Sequence, residues 1–394
     1  MNLRSIVTLC YAAFVSLLGF ILQRVKSEQN HVTLLVSFEE NASALIEAYK
    51  QQQETIPMKL TVLYTKHASA LKQDEPHMTF RYFNEKNPFH LIQTIYTLFK
   101  SKVVVTDNYF LMTSVLRDRK STTCIQVWHA NGALKKFGLE DASNAHRSKR
   151  DIERFKRVYA SFDYVVIGSD RMGEIFKRSF GIEDKQLLST GIPLTDAYFH
   201  TKPQYSLPSH IPQDKKILLY APTYRDFDRS GVVVPFEREQ LRTQLNGEYI
   251  LLVKLHPAVK HLVQTEADQE WIFDVSHEPL HDLLRTCDVL ITDYSSIVFE
   301  YALLHRPVLF FTYDLETYRQ KRGLVDGYEK IIPGKACLTQ DMLIDELSSL
   351  DQQNIASIQA FAEEWNHYSQ GHSAKQLFEF IQHHLIQKKR PASH

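Results

Sequence analysis

Short apolar runs alternate along the chain with longer stretches in which apolar residues recur every three to four positions. That alternation predicts strands and helices following one another in parallel α/β domains. In the first half the runs predict strands over 32–38, 60–64, 103–106, 123–128, 164–168 and 187–190. The pattern then stops. Between 200 and 216 the chain holds Pro203, Pro208 and Pro212 and few apolar residues, as an interdomain linker would. It restarts with strands expected over 216–220, 249–255, 271–274, 289–292 and 308–311. From Asp341 onward it reads as helical, with no internal repeat or low-complexity tract.

The expected division is a helix over 1–27, a Rossmann-like domain over 28–200, a linker over 201–215, and a second Rossmann-like domain with a helical tail over 216–394. A length of 394 residues, more than one core usually serves, agrees with two domains. Two such halves, with a tail that could cross back, suggest the GT-B architecture, two Rossmann-like domains facing a cleft. In such open sheets ligands bind off the carboxyl ends of the strands.

Charge narrows the partners. Lys+Arg and Asp+Glu both number 46, so no nucleic-acid footprint exists. Arg147, Lys149, Arg150, Arg154, Lys156 and Arg157 nevertheless crowd one helical stretch. It is either a solvated helix face or a patch for anionic lipid or a lipid pyrophosphate. Residues 6–22 are largely apolar, with Arg4 before them and Arg24 and Lys26 after. Seventeen residues fall short of a span, and no cleavage site follows, which leaves an interfacial anchor or a helix packed on the first domain. The flanking cations favour the interfacial role and a peripheral membrane protein. Cys10, Cys124, Cys287 and Cys337 are too scattered for a zinc site or a redox pair and fit a reducing compartment.

Candidate chemistry gathers at five strand ends. His129 follows the fourth expected strand and precedes Ala130-Asn131-Gly132 and Lys135-Lys136. A histidine there can take a proton from a hydroxyl near neutral pH, although a single one is commonly structural. His256, in Lys-Leu-His-Pro at 254–257, ends a strand of the second half. Thr223 and Arg225 follow the strand at 216–220, and Arg225 suits either a phosphate or an ion pair with Asp226 or Asp228. Asp293-Tyr294-Ser295-Ser296 leads from a buried strand into a helix, and a helix opening on two serines offers N–H groups and hydroxyls to a phosphate. One serine is also an ordinary cap. Tyr313-Asp314 leads toward Arg322-Gly323, where the arginine could close over an anion.

No G-x-G-x-x-G or Walker A loop is present, which argues against NAD and P-loop chemistry. Asp226 and Asp228 have the spacing of a metal-binding pair but read as a solvated turn, and His277 and His281 lack a third ligand. No metal or cofactor is expected.

Together Trp128-His129, Lys254 to Pro257, Thr292 to Ser296 and Tyr313 to Gly323 resemble, in this order, the motifs of the CDP-glycerol glycerophosphotransferases of wall teichoic acid synthesis. The likeness covers nearly the whole chain. Ala130-Asn131-Gly132, where many polymerases of that family have Gly-Thr-Pro, is similar to the members that prime the polymer. The resemblance implies CDP-glycerol as donor, an undecaprenyl-pyrophosphate-linked disaccharide as acceptor at the cytoplasmic membrane face, one glycerol phosphate transferred, and CMP released. It implies His129 as general base in an acceptor domain. His256 would be a second catalytic residue, Ser295, Ser296, Asp293, Thr223, Arg225 and Arg322 would bind the phosphates or the donor, and Lys135, Lys136, Arg150 and Arg154 would serve the acceptor or membrane. Two other readings stay open: a glycerol- or ribitol-phosphate polymerase, and a GT-B nucleotide-sugar glycosyltransferase or epimerase. A non-catalytic scaffold for other wall enzymes would leave both strand-end histidines without a task.

Overall fold

The computed structural model describes residues 3–52, 58–199, 205–225, 235–256, 270–350 and 352–387. It forms two compact units. The first comprises residues 1–131, 137–197 and 367–394, and the second 132–136 and 198–366.

The first unit holds seven strands: β1 (His31–Val36), β2 (Lys59–Tyr64), β3 (Met78–Tyr82), β4 (Val103–Thr106), β5 (Thr123–Gln126), β6 (Tyr164–Val166) and β7 (Leu187–Leu188). Their order is β3-β2-β1-β4-β5-β6-β7, and every pairing is parallel. β1 and β4 are buried along their whole length, as continuous apolar runs covered on both faces should be. β3 was not expected from the sequence. Only Met78 of its five residues is buried, so this edge strand lacks the apolar run that marks its neighbours.

The second unit repeats the plan with β8 (Lys216–Tyr220), β9 (Tyr249–Val253), β10 (Ile272–Asp274), β11 (Val289–Thr292), β12 (Val308–Phe311) and β13 (Ala336–Cys337). Its order is β10-β9-β8-β11-β12-β13, again all parallel. β13 has two residues, too few for a sequence signal. Strand order reverses between β1 and β4 in one unit and between β8 and β11 in the other. Such switch points are where ligands bind in open sheets of this kind.

Two boundaries differ from expectation. The C-terminal helix Ser373–Gln387 belongs to the first unit, not the second. Ala374, Leu377, Phe378 and Ile381 recur at helical spacing and are buried in the first unit's core against Leu45, Tyr49 and Val62. The Asp196 carboxylate accepts from Ser373 N and Ala374 N, both at 2.8 Å, and so fills the positive end of that helix. Gly191 makes the approach possible. It lies at φ +75°, and a Cβ there would sit 2.4 Å from the Tyr368 carbonyl oxygen. Asp196→Ala should therefore cost the first unit about 1.5–3 kcal/mol, read from the denaturation midpoint of Trp128 fluorescence. An unchanged midpoint would refute this anchoring role. The second difference is that Gly132 to Lys136 cluster with the second unit, as described below.

The N-terminal helix, Leu3–Leu22, packs on the first unit through Val15 and Leu18, which are buried. Its other side leaves Val7, Leu17, Phe20 and Ile21 exposed. No helix among the described residues is long and apolar enough to cross a membrane.

Candidate active site

In the first unit, His129 is placed by the loop that follows β5. Its Nδ1 lies 3.0 Å from the backbone oxygen of Asp107, the residue directly after β4. A carbonyl only accepts, so Nδ1 carries the proton and Nε2 holds the lone pair of the neutral ring. The ring packs against Phe38 at 4.8 Å and Trp128 at 4.2 Å between centroids.

The surroundings hold that geometry. The Asp107 carboxylate accepts from Ser37 N at 2.9 Å and Phe38 N at 2.8 Å, tying the end of β1 to the end of β4. Burial pushes this carboxyl up to about 7, with the Phe38 and Ser37 backbone donors and the Ser37 hydroxyl pulling the other way. Trp128 adopts φ +56°, uncommon for a residue with a bulky side chain. Its backbone is pinned on both sides: Trp128 N donates to Gln126 Oε1 at 2.8 Å, and Asn41 Nδ2 donates to Trp128 O at 2.7 Å. The Trp128 ring stacks on Phe137 at 5.3 Å and meets Phe180 edge-on. The other bond of buried Asn41, from Leu194 N at 2.9 Å, locks the clamp into the core.

The second unit has a matching arrangement at its own switch point. Asp293, the residue after β11, accepts from Thr223 N at 2.9 Å in the loop after β8. It is fully buried and pairs with Arg225, which also makes a two-pronged bond to Asp314 at 3.1 and 2.9 Å. Arg225 lies over the rings of Tyr294, Tyr313 and Tyr318 at 5.3, 5.5 and 5.3 Å. Burial alone would lower its guanidinium, but Asp293 and Asp314 raise it above the ordinary value.

Arg225 and Asp293, both expected among the phosphate- or donor-binding residues, are paired with one another inside the unit and shape its loops. Asp226 and Asp228, the partners weighed for Arg225, lie outside the described residues, as does Pro257.

Lys135 and Lys136, expected with the acceptor or membrane residues, are placed in the second unit. Lys135 bridges antiparallel to Leu324, and Val325 N donates to Leu134 O at 3.1 Å. Gly132 permits this seat, since a Cβ would fall 2.5 Å from the Phe299 ring. Burial lowers the Lys135 ammonium from its ordinary value, Asp293 raises it, and Arg322 and Arg225 lower it further. Those couplings put Lys135 in one electrostatic neighbourhood with both arginines. Lys136 is ion-paired to Asp326 at 2.9 Å.

Ser295 and Ser296 are half-buried ahead of the short helix Ile297–Tyr301. The Ser295 hydroxyl accepts from Ile297 N at 3.4 Å, and Ser296, at the N-cap, makes no capping bond. The Thr223 hydroxyl is buried without a hydrogen-bond partner among the described residues. His256 is exposed and stacks on Tyr224 at 4.9 Å, and partial desolvation of its ring lowers its pKa. Lys254 is spent on structure, donating to the carbonyls of Ser276 and Glu278 at 2.7 and 2.6 Å. Of the basic helix Lys149–Tyr159, Arg150 is exposed and Arg154 pairs with Asp151 on the same helix. His281 meets the Tyr198 hydroxyl at 2.5 Å.

The sequence reading missed Asp107, Asn41 and the tyrosine surround of Arg225. Asp107 had a visible signal, a carboxylate directly after a buried strand. Tyr294 and Tyr313 stood inside motifs already noted, but nothing local showed that their rings would gather around Arg225.

The profile of the family described as CDP-Glycerol:Poly(glycerophosphate) glycerophosphotransferase matches residues 18–383. The chain is 50% identical over 382 residues to the teichoic acid glycerol-phosphate primase of Bacillus subtilis (strain 168), covering 97% of this chain and 99% of that one. It is 45% identical over 378 residues to the primase of the same name from Bacillus spizizenii, covering 94% and 97%. Among solved structures it resembles the wall teichoic acid polymerase TagF, with TM-score 0.77 at 20% identity over 98% of this chain and 97% of that one. A UDP-N-acetylglucosamine 2-epimerase from Listeria monocytogenes shares the fold more loosely, with TM-score 0.59 at 15% identity over 93% and 99%. The two switch-point sites thus sit in a member of the CDP-glycerol:poly(glycerophosphate) glycerophosphotransferase family, and the chain is a glycerophosphotransferase.

Proposed function

We propose that this enzyme moves a single glycerol phosphate from CDP-glycerol to an undecaprenyl-pyrophosphate-linked N-acetylmannosaminyl-N-acetylglucosamine acceptor, releases CMP, and so primes wall teichoic acid synthesis. It works as a peripheral protein at the cytoplasmic face of the bacterial membrane. The observation that carries the reading is His129, whose Nδ1 is held by the Asp107 carbonyl so that Nε2 is the basic nitrogen. Nε2 takes the proton of an acceptor hydroxyl as it attacks the phosphorus that bears glycerol. Negative charge then grows on the phosphoryl oxygens and on departing CMP. Such charge calls for fixed donors rather than covalent chemistry. Lys135 and Arg322, the serine hydroxyls, the Thr223 hydroxyl and His256 supply them, with Arg225 holding the loops in place. The likeness to two glycerol-phosphate primases favours one addition over many.

Incubation with a lipid-linked disaccharide analogue and excess CDP-glycerol should give a product heavier by one glycerol phosphate, with equimolar CMP, by mass spectrometry. A ladder of additions would point to a polymerase, and release of UDP from a UDP-sugar to a nucleotide-sugar enzyme. Turnover should persist in EDTA, because cations of the chain itself offset the phosphoryl charge. Loss restored by magnesium would assign that role to a metal.

Replacing Ser295 and Ser296 together with alanine should weaken CDP-glycerol and CMP to the same degree, by about tenfold or more, since the lost bonds go to phosphate. Calorimetry showing unchanged CMP affinity would place the phosphates elsewhere.

A further inference from the structure

Within the first unit, the N-terminal helix and the segment that follows Leu116 enclose a cavity of about 610 Å³ that the transfer chemistry leaves unused. The helix forms one wall, with Gly19 and Phe20 facing the space. Gly19 sets how close that wall comes, because a Cβ there would lie 2.9 Å from Val115 Cγ1. The facing wall carries Arg117, Arg119, Lys120, Arg154 and Arg157, against Asp118 as the one carboxylate of the lining.

These cations differ in what they are free to do. Arg119 is structural: it donates to the carbonyls of Gln23, Val25 and Phe99, and its guanidinium lies 4.3 Å over the Phe99 ring. It thereby ties the end of the helix to the basic wall. Arg117 is held by Asp118 and Arg154 by Asp151. Lys120 and Arg157 are exposed, and neither has an ion-pair partner among the described residues. Two uncommitted cations at a cavity edge suit an anion with several oxygens. The volume far exceeds a phosphate, whose size is a few times the ~30 Å³ share of a water molecule. The apolar part of the lining includes Phe20, Phe99, Leu111 and Val115, and Phe20 is exposed, as are Leu17 and Ile21 on the same helix.

We propose that this cavity binds a phosphorylated amphiphile, with the head on Lys120 and Arg157 and the apolar chain along the N-terminal helix. The proposal stands independently of the donor chemistry. A membrane phospholipid and a lipid-linked substrate both carry this combination of groups.

The test is calorimetric titration of the full chain with dodecyl phosphate below its micelle concentration. Inorganic phosphate and dodecyl maltoside, which carry the head charge or the chain alone, serve as controls. Saturable binding of dodecyl phosphate at least tenfold tighter than either control is expected. Lys120→Glu with Arg157→Glu should weaken it at least tenfold while CDP-glycerol binding stays unchanged, which excludes misfolding. Ser16→Trp, which fills the cavity from the helix side, should do the same. Vesicles of phosphatidylcholine with and without phosphatidylglycerol separate the two sources. Loss of phosphatidylglycerol-dependent binding in Ser16→Trp assigns the site to bilayer lipid, and its retention assigns it to a single lipid-linked molecule. Equal affinity for inorganic phosphate, no saturable binding, or dodecyl phosphate affinity that survives both sets of substitutions would overturn the proposal. Wild-type protein that binds dodecyl phosphate but not CDP-glycerol would overturn the donor reading alone.

Discussion

Replacing His129 with alanine is expected to lower kcat about 10²–10⁴-fold, with the KM for CDP-glycerol nearly unchanged. The ring is fixed by its bond to the Asp107 carbonyl and by contact with Phe38 and Trp128, so its basic nitrogen is preset. Alanine removes the proton acceptor and none of the second unit's donor-binding groups. The loss should therefore fall on the chemical step. Steady-state kinetics with a soluble acceptor analogue and near-normal CMP binding would show this split. Wild-type turnover in a folded His129→Ala protein would end the base assignment. Removing the proton acceptor should hurt more at neutral pH than at high pH, where more of the acceptor hydroxyl ionises unaided. The deficit should thus narrow as pH rises.

Asp293→Ala is expected to destabilise the second unit by about 3 kcal/mol, roughly a hundredfold in its unfolding equilibrium. The substitution leaves Arg225 with Asp314 alone and frees Thr223 N from its acceptor, both in a buried setting. The figure sits at the low end for a broken buried pair because Asp314 remains. Trp271 and Trp365 both lie in this unit and are buried, so their fluorescence reports its unfolding in denaturant. Donor binding should weaken as well, since Thr223, Arg225 and Lys135 all depend on this carboxylate. A midpoint equal to that of the unaltered protein would mean that the Arg225–Asp314 pair suffices and that Asp293 is dispensable to the fold.

Those two carboxylates, Asp107 and Asp293, occupy corresponding places in the two sheets. Each follows the strand just past the switch point, β4 or β11, and accepts backbone N–H groups from the loop after the strand on its other side, β1 or β8. Asp107 also presents the backbone oxygen that holds His129 Nδ1, and Asp293 pairs with Arg225. One architectural device therefore fixes a histidine in one unit and an arginine in the other.

Much of this was legible in the sequence because it is local. Apolar runs buried on both faces marked β1, β4, β8, β11 and β12 almost to the residue, since a parallel strand must be apolar throughout to be covered by helices. Polar residues directly after such runs marked His129, Thr223, Arg225 and the serine pair, because strand ends are where an α/β sheet exposes its chemistry. Edge strands β3 and β13 gave no such signal, one being polar and the other two residues long. What tertiary structure alone decided is pairing over long separations. Arg225 faces Asp293 and Asp314, 68 and 89 positions away. Lys135 joins the second unit because a glycine three residues earlier lets that segment lie against Phe299. The last helix returns to the first unit because its apolar stripe fits that core and Asp196 receives its N-terminus. The composition of a segment states which faces must be buried, but the partner that buries them is set by shape and charge brought together only when the whole chain folds.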